Sequence, residues 1–193
     1  DLYVIADEIY EKLIFNGRCH LSVAAAPGMA DRTLTVNGLS KAYAMTGWRL
    51  GWLAGPTPIM KLAAKVNSQT VSCASTITMH ACTAALNGPQ EIVAQMRDSY
   101  QQRRDFMVKA LNEIDGVECR SIEGAFYLFP RFPNSSKNSL ELAEALLDKA
   151  GIASTPGIGF GQSGEGHVRF AISTAMSDLE RAVERLAKIA HEL

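Results

Sequence analysis

The sequence has no pair of cysteines at the spacing of a disulfide framework or a zinc site. Its four cysteines, Cys19, Cys73, Cys82 and Cys119, are scattered and form no C-x-x-C unit. Both kinds of site need closer spacing, so we expect reduced thiols in a cytoplasmic protein. The four histidines are equally dispersed, and we expect none of them to bind a metal.

The sequence also lacks an excess of charge of one sign, a membrane-length apolar run and internal repeats. The formal net charge is −1, which gives no support for a nucleic acid or an anionic membrane surface as a partner. We expect no signal peptide, and no apolar run is long enough to cross a bilayer. What remains is a chain of 193 residues, 47% of them hydrophobic, which is enough for one sizeable core or two small ones.

An apolar run, Leu2–Ala6, opens the sequence at once, with no methionine and no polar lead-in. Such a run is typical of a buried parallel strand with neighbours on both sides. We therefore expect the chain to begin inside a domain and to be a fragment of a longer protein.

The two parts of the chain have different patterns. Short strand-like runs precede a polar segment, Asn67–Thr78, which we interpret as a loop or a packed interface. Apolar residues at helical spacing then predict one long helix or two that nearly join between residues 89 and 114. Beyond it, strands alternate with two helices whose predicted N-terminal capping boxes pair Asn138 with Glu141 and Ser177 with Glu180. The strand-like runs of the first part are Leu2–Ala6, Thr33–Val36 and Leu50–Ala54.

These patterns predict an α/β fold in two domains. Residues 1–96 would be the C-terminal portion of a large domain with a mainly parallel sheet. Residues 97–193 would form a small α+β domain.

The stretch from Gly38 to Gly51 carries the strongest functional signal. Lys41 lies just past a predicted strand end, and Arg49 follows it within a segment punctuated by glycines. Strand ends are where α/β sheets place the groups that bind ligands. A lone lysine there is usually a surface charge and a lone arginine a salt-bridge partner, but the combined pattern is far less common.

Upstream, Asp7-Glu8-Ile9-Tyr10 ends the first predicted strand. A carboxylate at the end of a buried strand needs a partner, because burying an unpaired charge is costly. A protonated pyridine nitrogen would be one such partner. On its own, Asp7 would more simply be a helix N-cap.

Together these segments resemble the class I/II aminotransferases that depend on pyridoxal 5′-phosphate (PLP), of fold type I, and most of all the bacterial aspartate aminotransferase-like subgroup. The stretch around Lys41 resembles their cofactor-lysine signature, with small residues at the expected positions. The Asp-x-x-Tyr unit, the turn Gly124-Ala125-Phe126-Tyr127 and the arginine in Gly166–Ser173 also match. The resemblance covers nearly the whole chain and implies that it is the C-terminal half of such an enzyme.

The resemblance implies a role for five residues. Lys41 would hold PLP as a Schiff base and move the substrate proton. Asp7 would face the pyridine nitrogen, Tyr10 the 3-oxygen and Arg49 the phosphate. Arg169 would bind the substrate α-carboxylate, which suits its planar fork, although a structural ion pair is a serious alternative for any single arginine.

The activity that the resemblance implies is transamination between an amino acid and a 2-oxo acid, most simply of the aspartate type, in a homodimer. Asn67–Thr78 is the candidate for part of the dimer interface. Three alternatives stay open: a PLP-binding sensor domain of a transcriptional regulator, another enzyme on the same scaffold such as a β-lyase or synthase, and an inactive isolated fragment. The family's first half carries the phosphate cradle, the aromatic residue that stacks on the ring and an asparagine at the 3-oxygen.

Overall fold

A computed structural model describes residues 2–193. The chain divides into two compact units, Asp1–Arg97 and Asp98–Leu193. The division falls inside one continuous helix, α3 (Glu91–Asn112), one residue from the boundary predicted from the sequence. Within the described residues, no helix is both long and apolar enough to span a membrane.

The first unit contains a three-stranded sheet in the order β1 (Val4–Asp7), β2 (Thr33–Gly38) and β3 (Gly51–Ala54). β1 runs parallel to β2, but β3 runs antiparallel to it. The segment between β2 and β3 contains one short 3₁₀ turn, Thr46–Trp48, whereas a parallel connection would need a longer crossover, usually a helix. The expected mainly parallel sheet is therefore represented here by one parallel and one antiparallel pairing.

The expectation that the first strand has neighbours on both sides is wrong for the described residues, where β1 pairs with β2 alone. Tyr3 and Ile5 are 69% and 74% exposed. The apolar run Leu2–Ala6 does indicate a strand, but its side chains are more exposed than those of such a run usually are.

Two helices, α1 (Thr57–Thr70) and α2 (Thr76–Asn87), follow the sheet. The prediction of a loop over Asn67–Thr78 holds only for residues 71–75, because both ends of the segment belong to these helices. The hydroxyls of Ser68 and Thr70 donate to the carbonyls of Lys65 and Val66, at 2.8 and 3.0 Å. Such bonds back to the preceding turn let serine and threonine sit inside a helix.

The second unit packs the end of α3 and two further helices, α4 (Ser139–Ala150) and α5 (Met176–Ile189), around a small antiparallel sheet. The strand order is β4 (Tyr127–Leu128), β6 (Val168–Ala171), β5 (Thr155–Pro156). Its core consists of aliphatic side chains that are at most 1% exposed: Leu111, Leu128, Leu142, Leu146, Val168, Ile172 and Leu186.

One predicted capping box is confirmed and the other is wrong. Asn138 accepts hydrogen bonds from the N–H groups of Leu140 and Glu141, while the Glu141 carboxylate accepts from the N–H of Asn138. By contrast, α5 begins at Met176 with no side-chain cap, so Ser177 already lies inside the helix.

Candidate active site

The topology of the first sheet brings four of the predicted site residues to one edge. Asp7 ends β1, and Lys41 follows the end of the parallel strand β2. Because β3 is antiparallel, its first residue, Gly51, lies opposite Gly38. Arg49, two residues before Gly51, therefore emerges at the same edge. Tyr10 reaches this edge in the turn that follows Asp7.

Gly38 and Gly51 make this convergence possible. A Cβ atom on Gly38 would lie 2.9 Å from the carbonyl oxygen of Leu50, and one on Gly51 would lie 2.8 Å from that of Asn37. Both contacts are with backbone atoms, which cannot move aside without disturbing the strand pair. The two glycines thus let the segments that carry Lys41 and Arg49 approach closely.

Asp7 is exposed, so the expectation that it is a buried carboxylate is wrong. Its Oδ1 atom accepts a hydrogen bond from the N–H of Ile9 at 3.2 Å, which stabilises a turn and not a helix N-terminus. Among residues 2–193 no lysine, arginine or histidine side chain makes an ion pair with it. The carboxylate is thus available to a cationic ligand atom.

The buried carboxylate is the neighbouring Glu8, which the sequence did not single out. Glu8 is 6% exposed and accepts from the Ser22 hydroxyl at 2.8 Å and from the Val23 N–H at 3.1 Å. Nε2 of His20 lies 3.0 Å away. Burial alone would raise the pKa of Glu8, but the hydrogen bonds from Ser22, His20 and Val23 outweigh it and lower that pKa.

Arg49 and Lys41 complete the group in the first unit. Arg49 adopts a left-handed backbone conformation, with φ of 53°. It is exposed, and its Nη1 atom donates to the carbonyl of Thr46 at 2.8 Å. No carboxylate among the described residues forms an ion pair with Arg49. Lys41 and Tyr10 are both half-buried.

Arg169 lies in the second unit, on β6. It pairs in register with Thr155 of β5, whose hydroxyl accepts a long hydrogen bond of 3.4 Å from Arg169 Nη2. The guanidinium carbon lies 4.3 Å from the ring centre of Tyr127 and 4.7 Å from that of Phe160. The structural ion pair that we considered for Arg169 is not found among residues 2–193.

All four cysteines are free thiols. Cys19 and Cys73 are exposed, whereas Cys82 and Cys119 are buried. Burial raises the pKa of the Cys119 thiol to about 11, so this thiol stays protonated and unreactive at neutral pH.

The chain is similar to known proteins along nearly its whole length. The family model for aminotransferase class I and II matches residues 1–186. The aspartate aminotransferase of Pyrococcus abyssi is 41% identical over 100% of this chain and 50% of its own length. The bifunctional aspartate aminotransferase and glutamate/aspartate-prephenate aminotransferase of Petunia hybrida is 45% identical over 97% of this chain and 41% of its own length.

A similar structure is the crystal structure of an aromatic aminotransferase from Pyrococcus horikoshii. It matches with a TM-score of 0.95 and 41% identity, over 100% of this chain and 52% of its own. The chain thus spans about half the length of the relatives that it matches.

Proposed function

Because this chain belongs to the class I and II aminotransferases, we propose that the full-length protein transfers an amino group between an amino acid and a 2-oxo acid with PLP as cofactor. The observation that carries the proposal is the convergence of Asp7, Lys41 and Arg49 at one edge of the first sheet. An aspartate-type substrate is favoured by the names of the Pyrococcus abyssi and Petunia hybrida relatives.

The residues at this edge suit PLP by their chemistry. The cofactor presents an aldehyde, a phosphate dianion, a phenolic oxygen and a ring nitrogen that can carry a proton. Lys41 offers an amine, Arg49 a guanidinium, Tyr10 a phenol and Asp7 a carboxylate. Neither Asp7 nor Arg49 has an ion pair among the described residues, so each can pair with the cofactor without losing an existing one.

When bound, PLP would supply the electron sink that stabilises the substrate after it loses its Cα proton. Lys41 would hold the cofactor covalently as a Schiff base through Nζ. As a free amine, Nζ would serve as the base that takes the proton from the substrate Cα. The Asp7 carboxylate would keep the proton on the ring nitrogen, because a nearby negative charge favours the charged form of a base.

The other two residues of the first unit would orient the cofactor. Tyr10 would donate its hydroxyl proton to the 3-oxygen, and the Arg49 guanidinium would pair with the phosphate. The charge-assisted pair with Arg49 and the hydrogen bond from Tyr10 would together fix the orientation of the pyridine ring.

Arg169 would bind the α-carboxylate of the amino or oxo acid through its planar fork. Holding that carboxylate would orient the amino or oxo acid. The absence of an ion pair from Arg169 to any described carboxylate supports this role.

We further propose that the full-length protein is a cytoplasmic homodimer. Asn67–Thr78 is the proposed part of the interface. This segment carries no charged residue, and Val71 and Ile77 in it are 66% and 75% exposed. Exposed apolar side chains in an uncharged segment are typical of surfaces that a partner covers.

A single assay tests the proposed activity. The full-length protein, loaded with PLP and given aspartate and 2-oxoglutarate, should form oxaloacetate and glutamate in equal amounts. With cystathionine in place of aspartate, release of ammonia, pyruvate and the homocysteine leaving group would instead identify a β-lyase on the same scaffold. No turnover with any amino acid, despite bound PLP, would favour a sensor domain over an enzyme.

A further inference from the structure

The surroundings of Arg169 are unusual for an arginine that binds a ligand, because its guanidinium is flanked by two aromatic rings. The distances from its central carbon are 4.3 Å to the Tyr127 ring centre and 4.7 Å to that of Phe160. Both lie within the range of cation–π attraction. The remaining polar contact of Arg169 with a described residue is the long hydrogen bond to Thr155.

The pleat of the small sheet explains the position of Tyr127. Tyr127 lies opposite Ala171, and Leu128 lies opposite Phe170. Because side chains alternate between the two faces of a sheet, Tyr127 and Arg169 share one face. Leu128 and Phe170 occupy the other face and are buried in the core. Tyr127 is therefore fixed against the guanidinium by strand register.

Phe160 comes from a loop that is anchored at several points. The Gly157 N–H donates to the carbonyl of His167 at 3.0 Å. The Ile158 N–H donates to the hydroxyl of the fully buried Ser139, which itself donates to the Glu165 carboxylate, both at 3.0 Å. These bonds hold the loop in one position relative to β6, so Phe160 is held over Arg169.

Core packing does not account for Phe160, because this residue is 51% exposed. Its ring meets the Phe129 ring edge-on, with centroids 5.6 Å apart, and Phe129 in turn stacks on His167. The Phe160 side chain is thus half exposed to solvent, and its ring contacts Arg169 and Phe129.

We propose that Tyr127 and Phe160 form an aromatic clamp that positions the Arg169 guanidinium for a substrate carboxylate. The inference rests on the proposed role of Arg169. A free arginine side chain loses much rotamer freedom when it binds a ligand. A guanidinium already held against two rings loses less. The Thr155 bond is long and uses one hydrogen of Nη2, so Nη1 and the second hydrogen of Nη2 can pair with the carboxylate.

The test uses the full-length protein loaded with PLP and four variants. Phe160→Leu removes the ring, and Phe160→Tyr retains it. Ile158→Ala is the matched control, since Ile158 is 41% exposed on the same loop and makes no ring contact with Arg169. Arg169→Lys keeps the charge and loses the planar fork, so it measures how much Arg169 itself contributes to carboxylate binding. Each variant is measured for the dissociation constant of succinate, which cannot react, for KM and kcat with aspartate, for PLP retention and for thermal unfolding.

We expect Phe160→Leu to raise the succinate dissociation constant and the KM about threefold to tenfold, the effect of losing one cation–π partner. The kcat, PLP retention and melting temperature should match those of Ile158→Ala. Phe160→Tyr should bind succinate as tightly as the unmodified protein. Arg169→Lys should raise KM by roughly one to two orders of magnitude, because it loses a bidentate charge-assisted pair.

Two results would overturn the clamp, and they are distinguishable. If Arg169→Lys weakens succinate binding but Phe160→Leu behaves like Ile158→Ala, the clamp is wrong and the proposed function stands. If Arg169→Lys leaves binding unchanged, the carboxylate role of Arg169 fails and the clamp fails with it. Should Phe160→Leu not fold, Phe160→Met replaces it under the same criteria.

Discussion

The Nε2 atom of His20 lies 3.0 Å from a carboxylate oxygen of Glu8, which ties the segment around His20 back to the end of β1. Ser22 and the backbone of Val23 bind the other oxygen of the same carboxylate. Glu8 stands between Asp7 and Tyr10 in the sequence. The cluster therefore holds in place the turn from which two of the proposed cofactor ligands emerge.

Glu8→Gln should lower the free energy of unfolding by roughly 1–3 kcal/mol near neutral pH, the usual range for hydrogen bonds to a buried charged group. The pKa of Glu8 is lowered in the folded state from the ordinary value of 4.5. Its ionised form thus stabilises the fold above that pH, and the stabilisation is lost as the pH falls through the folded-state pKa. The difference between Glu8→Gln and the unmodified chain should therefore shrink at low pH.

Urea unfolding at several pH values measures this difference. Glu11→Gln is the control, because the Glu11 carboxylate makes a long ion pair of 3.9 Å with Lys12 and is not among the buried side chains. A loss of stability that is equal for both variants, or independent of pH, would contradict the proposed role of Glu8.

Lys41→Ala in the full-length protein should lower transamination by several orders of magnitude, because it removes both the cofactor anchor and the general base. The companion experiment on the unmodified protein is borohydride reduction in the presence of PLP, followed by mass spectrometry of the peptides. The reduced cofactor should be found on Lys41. A label on another lysine would reject the assignment.

The assembly prediction concerns the exposed apolar residues of Asn67–Thr78. Val71→Glu or Ile77→Glu should convert a dimeric full-length protein into a monomer, because a charge placed in an apolar interface loses its hydration without gaining a partner. Light scattering measures the mass, with Thr83→Glu as a control on the exposed part of α2 outside the segment. A fully active monomer of the unmodified protein would overturn the prediction.

The isolated 193-residue chain should be inactive and should bind PLP weakly. Arg49 would give the phosphate one cationic partner, whereas tight phosphate sites also use converging backbone N–H groups at a helix N-terminus. Those groups and the aromatic residue that stacks on the ring belong to the part of the family fold that precedes the Asp-x-x-Tyr unit. Titration with PLP, desalting and an activity assay test this. Stoichiometric cofactor with turnover would mean that this chain carries a complete site.

The sequence predicts features that depend on residues near one another in the chain. The Asn138 capping box, the positions of the strands and the stretch around Lys41 are all local patterns. The loop predicted over Asn67–Thr78 is shorter than expected, because serine and threonine hydroxyls can bond to helical carbonyls as well as form turns. The Ser177 box fails because the same four-residue pattern can also occur inside a helix.

The features that the sequence did not reveal depend on distant partners. Glu8 is buried because Ser22 and Val23 fold back over it, and no local pattern around Glu8 signals this. The role proposed for Phe160 depends on its contact with Arg169, which lies on β6. The family resemblance singles out Arg169 but not the rings of Tyr127 and Phe160 beside it. Contacts between an arginine and these rings arise only when strands and loops pack together.

The base of the loop that carries Phe160 has a consequence for how this protein can change by mutation. A Cβ atom on Gly157 would lie 1.9 Å from the carbonyl oxygen of Gly164, and one on Gly164 would lie 2.0 Å from that of Gly157. Each glycine is therefore required by the backbone of the other, and no second substitution can restore the lost space. In a mutational library, positions 157 and 164 should tolerate no side chain, singly or together. Gly159, which has nothing within 4 Å of an added Cβ, should accept many, so variation in this loop is confined to its tip.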